Sequence, residues 1–205
     1  FLENSEKNKF DFRNHLLRNH IISINRNLPI YKLKKQKFYD NSKYAFIRNN
    51  NFNIILNYSN LGIKYMGAHG HSDLMSFQIF LNNIPFFIDS GTYQYHDKFK
   101  KFRNFFRSAR SHNVSSINKM DHSKILSNMM WDKITAVESI KVLKKNDKFN
   151  ISGKFNFSKN KIHSRTYTIL KEKIFINDTF KTDNDSQYQI YFQIHPKIKV
   201  NKNNK

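Results

Sequence analysis

Two histidines and an aspartate stand close together in the run Ala68–Phe77, which reads A-H-G-H-S-D-L-M-S-F. The histidines are His69 and His71, the aspartate is Asp73, and an apolar run begins directly after them. Burying ionisable side chains is costly unless they are paired or bound to a metal ion. The run therefore predicts either a set of paired polar groups or a metal site at the start of a buried strand.

Two further segments carry side chains of the same kinds. Asp89 ends the apolar run P-F-F-I, and His112 stands between R-S-A-R-S and N-V-S. If residues 74–81 and 84–88 form a hairpin, His71 and Asp89 lie at the same open end of it. Neutral imidazoles and a carboxylate at one edge are suitable zinc ligands where thiolates are absent, and the chain has no cysteine.

The composition narrows the class of protein only partly. The 205 residues suit one domain, or one domain and a piece of another. The formal net charge of +21 favours polyanionic partners, such as nucleic acid, anionic lipid or an acidic polysaccharide, but lysine and asparagine are abundant throughout. No apolar run is long enough to span a membrane. No signal peptide opens the chain. We interpret the chain as a fragment of a longer protein.

The pattern of apolar residues predicts two parts. Residues 1–37 are interpreted as a linker or the remnant of a preceding helical domain, and residues 38–205 as one β domain. Asn82 and Asn83 suit a hairpin turn, because asparagine tolerates positive φ. Short strands separated by polar turns indicate an all-β fold, an antiparallel β-sandwich of the supersandwich kind. The predicted strands are 45–47, 53–56, 75–81, 85–88, 140–143, 149–157, 165–170, 174–176 and 189–194.

Three separated blocks together resemble one known family. They read H-G-H-S-D-L-M-S-F, I-P-F-F-I-D-S-G-T-Y and F-F-R-S-A-R-S-H-N-V, and H-S-R at 163–165 and F-Q-I-H-P at 192–196 follow in the same order. This pattern resembles the C-terminal domain of the heparinase II/III family over residues 38–205. Those proteins are polysaccharide lyases that act on glycosaminoglycans, alginate and related uronate polymers. The resemblance implies a C-terminal antiparallel β-sandwich paired with an N-terminal α/α toroid that this chain lacks.

The resemblance also implies roles for individual residues. The first histidine of the H-x-H-x-D block reaches the cleft between the domains in the family, which makes His69 the catalytic candidate. The matching zinc ligands here are His71, Asp89 and His112, and another divalent cation could take the place of zinc. The family habit further implies a periplasmic or secreted location.

A uronate lyase has to neutralise the sugar carboxylate, remove the C5 proton and protonate the leaving O4. His69 is either the base or the group that neutralises the carboxylate, and the sequence does not separate these roles. Arg107 and Arg110 are candidates for contact with the acidic sugars. Because the partner tyrosine of the family comes from the toroid, we expect the chain alone to have little or no lyase activity.

The remaining aromatic and histidine side chains are predicted to serve the fold. Tyr93 and Tyr95 are expected to pack in the interior, and His163 and His195 to pack or form hydrogen bonds within the sandwich. Four histidines without motif context are expected at the surface: His15, His20, His96 and His122.

Three other functions compete with the lyase. The first is a non-catalytic sugar-binding or structural β-sandwich that keeps the metal site. The second is a nucleic-acid binder, but the sequence offers neither a groove-fitting basic helix nor an aromatic RNA platform. The third is a zinc hydrolase, which is disfavoured because no H-E-x-x-H run is present.

Overall fold

The computed structural model describes residues 36–63, 65–95, 100–158, 160–183 and 185–200. The predicted N-terminal helical or linker segment lies outside these ranges, apart from Gln36 and Lys37, which begin the first strand. Within the described ranges, no helix is both long enough and apolar enough to cross a bilayer.

Two antiparallel sheets make up most of the described chain. The first sheet comprises β1 (Gln36–Tyr39), β2 (Tyr44–Arg48), β3 (Phe52–Asn57), β4 (Ser76–Leu81) and β5 (Ile84–Phe87), which lie side by side in that order. The second comprises β9 (Ser139–Lys145), β10 (Lys148–Ser158), β11 (Lys161–Ile169) and β12 (Ile174–Lys181), and its strand order is β12-β11-β10-β9.

Shorter elements connect and flank the two sheets. Two strand pairs are formed by β6 with β13 and by β7 with β8. Their bounds are β6 (Ser115–Ile117), β7 (Lys124–Ile125), β8 (Trp131–Lys133) and β13 (Tyr188–Ile190). A helix, α1 (Lys100–Arg107), is followed by a 3-10 turn at Ala109–Ser111. The sequence analysis did not predict this helix.

The core lies between the two sheets, as the predicted sandwich requires. Along β10 and β11, buried residues alternate with more exposed ones, which is the period of two expected for a sheet with one interior face. Phe77 of β4 meets Tyr167 of β11 with ring centroids 5.9 Å apart. One apolar cluster includes residues of both sheets, so the predicted all-β antiparallel sandwich is confirmed.

The predicted hairpin between β4 and β5 is present. Asn82 and Asn83 have φ values of 49° and 65°, the left-handed conformation that a two-residue hairpin turn requires. Met75, expected as the first residue of the strand, instead has φ of 57° and precedes β4. The hairpin directs the start of β4 and the end of β5 toward one end of the sandwich.

The histidines predicted to serve the fold behave differently from one another. His163 is buried and forms hydrogen bonds inside the sandwich, as predicted. The prediction that His122 lies at the surface is wrong, because it is fully buried against Phe155 and Phe157. Burial lowers the pKa of His122 to about 3, so its ring is neutral and packs as an aromatic side chain. His15, His20 and His96 lie outside the described residues.

Candidate active site

His71, Asp89 and His112 meet at the end of the sandwich, although they are far apart in the sequence. The imidazole rings of His71 and His112 are stacked with their centroids 5.0 Å apart. Nδ1 of His112 lies 2.7 Å from Oδ2 of Asp89. The hairpin places Asp89 just after β5 and beside the segment that precedes β4, while His112 directly follows the 3-10 turn.

Both ring nitrogens of His112 face oxygen atoms that can only accept. Nδ1 faces the Asp89 carboxylate, and Nε2 lies 3.0 Å from the carbonyl oxygen of Phe106. Burial alone would lower the pKa of His112, but the hydrogen bonds and charge of these partners outweigh burial and raise it. A cation is therefore required between Nδ1 and the carboxylate, either a proton or a metal ion.

The pKa of His71 is shifted in the opposite direction from that of His112. Burial lowers the pKa of His71 to about 4, and the positive charges of His112 and Arg103 add to this effect. Its Nε2 lies 2.9 Å from Oγ1 of Thr92, and Thr92 in turn accepts hydrogen bonds from Nη1 of Arg103. A neutral imidazole at pH 7 keeps a lone pair, which is the form that binds a metal ion.

The donor chemistry of the three side chains fits zinc. His112 has one nitrogen bonded to a backbone carbonyl and the other directed at Asp89, which is the usual outer-shell arrangement of a metal-bound histidine. Among the described residues, however, no three or more histidine or acidic side chains are already arranged to hold a metal ion. Metal binding would have to displace the proton shared by His112 and Asp89, and His71 would have to turn from Thr92 or use its other nitrogen.

His69 lies at the exposed side of the same end of the sandwich. Its backbone has φ of 62°, and Nδ1 lies 2.9 Å from the hydroxyl of Tyr95. The guanidinium carbon of Arg103 lies 4.5 Å from the centre of the Tyr95 ring. Tyr95 thus holds the exposed imidazole in one orientation by engaging one of its two nitrogens.

A cavity of about 920 Å³ opens beside these residues. Its lining is rich in amide and hydroxyl side chains, which suit the hydroxyl groups of a sugar. The lining includes Tyr44, Asn57, His69, His71, Asp73 and Asp89.

Asp73 is one of the acidic residues that line this cavity. Its Oδ2 accepts a hydrogen bond of 2.9 Å from Nδ2 of Asn57. Burial raises the pKa of Asp73 to about 6, against the opposing charge of His112. The Asp73 side chain therefore bonds an asparagine on β3, and the described contacts include no hydrogen bond between Asp73 and a histidine.

The two arginines predicted to contact sugar have different positions. Arg107 is only 1% exposed, and its Nη1 donates to the carbonyl oxygens of Ser127 and Asn128. Its guanidinium carbon also lies 4.6 Å from the centre of the Trp131 ring. Arg107 therefore stabilises the loop before β8, whereas Arg110 is exposed and free to reach solvent.

Two residues of this site escaped the sequence analysis. Thr92 bonds His71, and Tyr95 bonds His69, although Tyr95 was expected to pack in the interior. Tyr93, with the same expectation, is 46% exposed and stacks on Phe106, so that prediction is wrong. The run S-G-T-Y after Asp89 was the available signal, because a glycine turn there directs polar side chains back to the hairpin end.

Replacing Gly70 by alanine is expected to lower the free energy of unfolding by about 1–3 kcal/mol. A Cβ at Gly70 would lie 2.6 Å from the backbone nitrogen of Gly62 and 2.9 Å from the carbonyl oxygen of Gly67, and neither atom can move cheaply. The clash would also shift His69 and His71, which flank the glycine. Urea denaturation measures the change.

Gly91→Ala is the matched control for that substitution. Gly91 has φ of 73° but nothing within 4 Å of a Cβ, so alanine there adds only backbone strain of about 1 kcal/mol. Equal losses for the two variants would contradict the clash at Gly70.

Several solved structures have a similar fold, and three of them are compared with this chain. Heparan sulfate lyase HepC from Pedobacter heparinus superposes with a TM-score of 0.63 at 17% identity, covering 90% of this chain and 28% of that one. A heparinase III structure gives 0.63 at 18% identity, with 89% and 31% coverage. A second heparinase III gives 0.65 at 16% identity, with 93% and 29% coverage. At these identities the likeness shows the fold.

The chain spans less than a third of the length of those structures. No curated protein sequence matches it. The family model described as "Heparinase II/III-like, C-terminal" matches residues 32–205, which is most of the chain. The fold, the hairpin-end histidines and this match lead to one conclusion: the chain belongs to the heparinase II/III-like family and contains its C-terminal domain.

Proposed function

We propose that this chain is the C-terminal part of a polysaccharide lyase that cleaves a uronic-acid-containing polysaccharide by β-elimination. The observation that carries the proposal is the meeting of His71, Asp89 and His112 directly beside the exposed His69 and its cavity. Membership of the heparinase II/III-like family supports the lyase class. The same membership supports an N-terminal α/α domain as partner and a periplasmic or secreted location, and both stay proposals.

His69 is proposed to act on the uronate. Its bond to Tyr95 engages Nδ1, so Nε2 is the nitrogen available for the sugar. In β-elimination the C5–H bond breaks, its electron pair forms the C4–C5 double bond, and the C4–O4 bond breaks as O4 gains a proton. His69 either takes the C5 proton or pairs with the carboxylate to make that proton more acidic.

His71, Asp89 and His112 are proposed to hold Zn²⁺ or another divalent cation. Such a cation would join the segment before β4, the end of β5 and the 3-10 turn, and could orient the segment that carries His69. Asp89 supplies the negative charge, and the low pKa of His71 keeps that imidazole neutral. Arg110 remains a candidate for contact with acidic sugars, whereas the burial of Arg107 favours a structural role.

Metal analysis of the purified chain tests the ligand set. We expect about one equivalent of zinc in the wild-type chain and a loss of most of it in His71→Ala. His195→Ala is the matched control, because it also removes a half-buried imidazole. Alanine loses only a long, exposed hydrogen bond from the Lys197 amide to Nδ1 and keeps the backbone bond from His195 to the Phe86 carbonyl. A wild-type chain without bound zinc after reconstitution, or equal zinc in all three proteins, would contradict the ligand set.

A further inference from the structure

A buried guanidinium connects the second sheet to the histidine segments of the first. Arg165 lies on β11 and is fully buried between the sheets. Asp178 of β12 accepts hydrogen bonds from Nε at 2.7 Å and from Nη2 at 3.0 Å. His163 also bonds Asp178, at 2.6 Å. This paired arrangement fixes the plane of the guanidinium and directs Nη1 away from the carboxylate.

Nη1 of Arg165 bridges two backbone carbonyls. It donates to the oxygen of Met75 at 3.1 Å and to the oxygen of Asn113 at 2.6 Å. Met75 ends the segment that carries His71, and Asn113 directly follows His112. One NH₂ group therefore sets the separation of the two segments from which the stacked histidines project.

The Met75 carbonyl is held by a second donor. The hydroxyl of Tyr167, two residues along β11, also donates to it. Gly153 of β10 leaves space for the methionine, because a Cβ there would lie 2.6 Å from the Met75 sulfur. Met75 has φ of 57°, a conformation that a non-glycine residue keeps only when its surroundings determine it strongly.

Asn113 extends the connection to the segment that carries Asp89. Its Nδ2 donates to the carbonyl oxygen of Phe77 at 2.7 Å and to that of Ile88 at 2.9 Å. Ile88 directly precedes Asp89. The Arg165–Asn113 pair thus reaches all three segments that carry the proposed metal ligands.

We propose that Arg165 is a positioning residue that holds the segments of His71, Asp89 and His112 at their working separation. This inference rests on the proposed function only in assuming that His71, Asp89 and His112 bind a metal ion. Among the described contacts Arg165 makes no hydrogen bond to the side chains of His71, Asp89 or His112. It acts through the carbonyls of Met75 and Asn113.

Hydrogen exchange followed by mass spectrometry tests this role without any metal. In the 205-residue chain, Arg165→Lys keeps a cation for Asp178 but cannot also donate to both carbonyls. We expect exchange about tenfold faster in peptides covering residues 71–76 and 111–115, with β9 and β10 unchanged. The Ser72 amide, which donates to the backbone carbonyl oxygen of Arg107 at 2.9 Å, is one reporter.

Two further variants make the test decisive. The double variant Arg165→Met with Asp178→Asn removes both charges, so no buried charge remains unpaired. If the lysine variant does not fold, this double variant should show the same faster exchange in residues 71–76 and 111–115. Ile151→Ala, a fully buried change on β10, is the control for a general loss of stability. It should speed exchange without selecting the two histidine segments.

Exchange that stays unchanged in both histidine segments, or that rises there only as much as in Ile151→Ala, would overturn the proposal. Zinc uptake provides an independent readout, and we expect about tenfold weaker binding in the lysine variant. A wild-type chain that takes up no zinc would count against the metal site alone, because the exchange result does not depend on it.

Discussion

Replacing Asp178 with asparagine is expected to lower the free energy of unfolding by about 3–5 kcal/mol. The Asp178 side chain is 5% exposed and that of Arg165 is fully buried, so the substitution leaves a guanidinium in the interior without its counter-charge. An amide can replace only part of the two hydrogen bonds that Arg165 makes to the carboxylate. Urea denaturation of the 205-residue chain, with the same slope for both proteins, measures the loss.

An exposed ion pair in the same chain provides the control. Asp132 lies 2.8 Å from the amino group of Lys124, and both side chains reach solvent. Exposed pairs contribute little because water and salt screen them. Asp132→Asn should therefore leave the denaturation midpoint nearly unchanged. If Asp178→Asn costs no more than Asp132→Asn, the buried pair does not stabilise the sandwich as described.

The same carboxylate predicts a pH dependence. Burial would raise the pKa of Asp178, but the hydrogen bonds from His163 and Arg165 outweigh burial and lower it from 3.8 to about 2. The unfolded chain then binds this proton more tightly than the folded chain does. Stability from Asp178 is thus complete above about pH 4 and is lost as the pH falls toward 2. The asparagine variant should lose this part of the acid dependence.

Replacing His69 with alanine in the full-length parent protein is expected to lower kcat/KM on a uronate polymer by about 10²–10⁴-fold. The expected loss follows from the role proposed for His69, whose imidazole is exposed and lines the cavity. Tyr95→Phe keeps the imidazole but removes its orienting hydroxyl, so we expect a smaller loss of about tenfold. Formation of the C4–C5 double bond, followed by ultraviolet absorbance, is the measurement.

Two controls separate chemistry from folding in this experiment. His195→Ala in the parent should keep its activity, and the 205-residue chain alone should turn over little or no polymer. Unchanged activity in His69→Ala would remove this residue from the mechanism. Binding of the polymer without cleavage by the intact parent would instead favour the non-catalytic sugar-binding sandwich.

Sequence reasoning predicted the fold class well because the alternation of apolar residues is strong. In β10 and β11 that period of two coincides with interior and exterior faces, and the Asn82–Asn83 turn sets the register of β4 with β5. The hairpin geometry also predicted that His71 and Asp89 share one end of the sheet. The alternation, the turn and the hairpin are local features, and each is determined by residues that are close together in the sequence.

The parts that sequence reasoning missed depend on distant contacts. Tyr95 acquires its place only because the chain after Asp89 turns back to His69, and α1 has few local signals, with no acidic residue in its first turn. Arg107 was predicted as a candidate for contact with acidic sugars, and the sequence does not show that its guanidinium is buried and donates to the loop carbonyls of Ser127 and Asn128. His122 was misjudged because nothing nearby in sequence shows that Phe155 and Phe157 cover it.

The bridge from Arg165 to the Met75 and Asn113 carbonyls spans 90 and 52 residues of sequence. Contacts between residues so far apart in sequence form late in folding, because closing the long intervening loop costs chain entropy before the contact contributes any stabilising energy. On the ribosome, the chain segment with His71 emerges well before β11 exists to receive it. We therefore expect the histidine cluster to mature in the last step of folding, so that a chain cut short before β11 would carry every proposed ligand and still lack an ordered site.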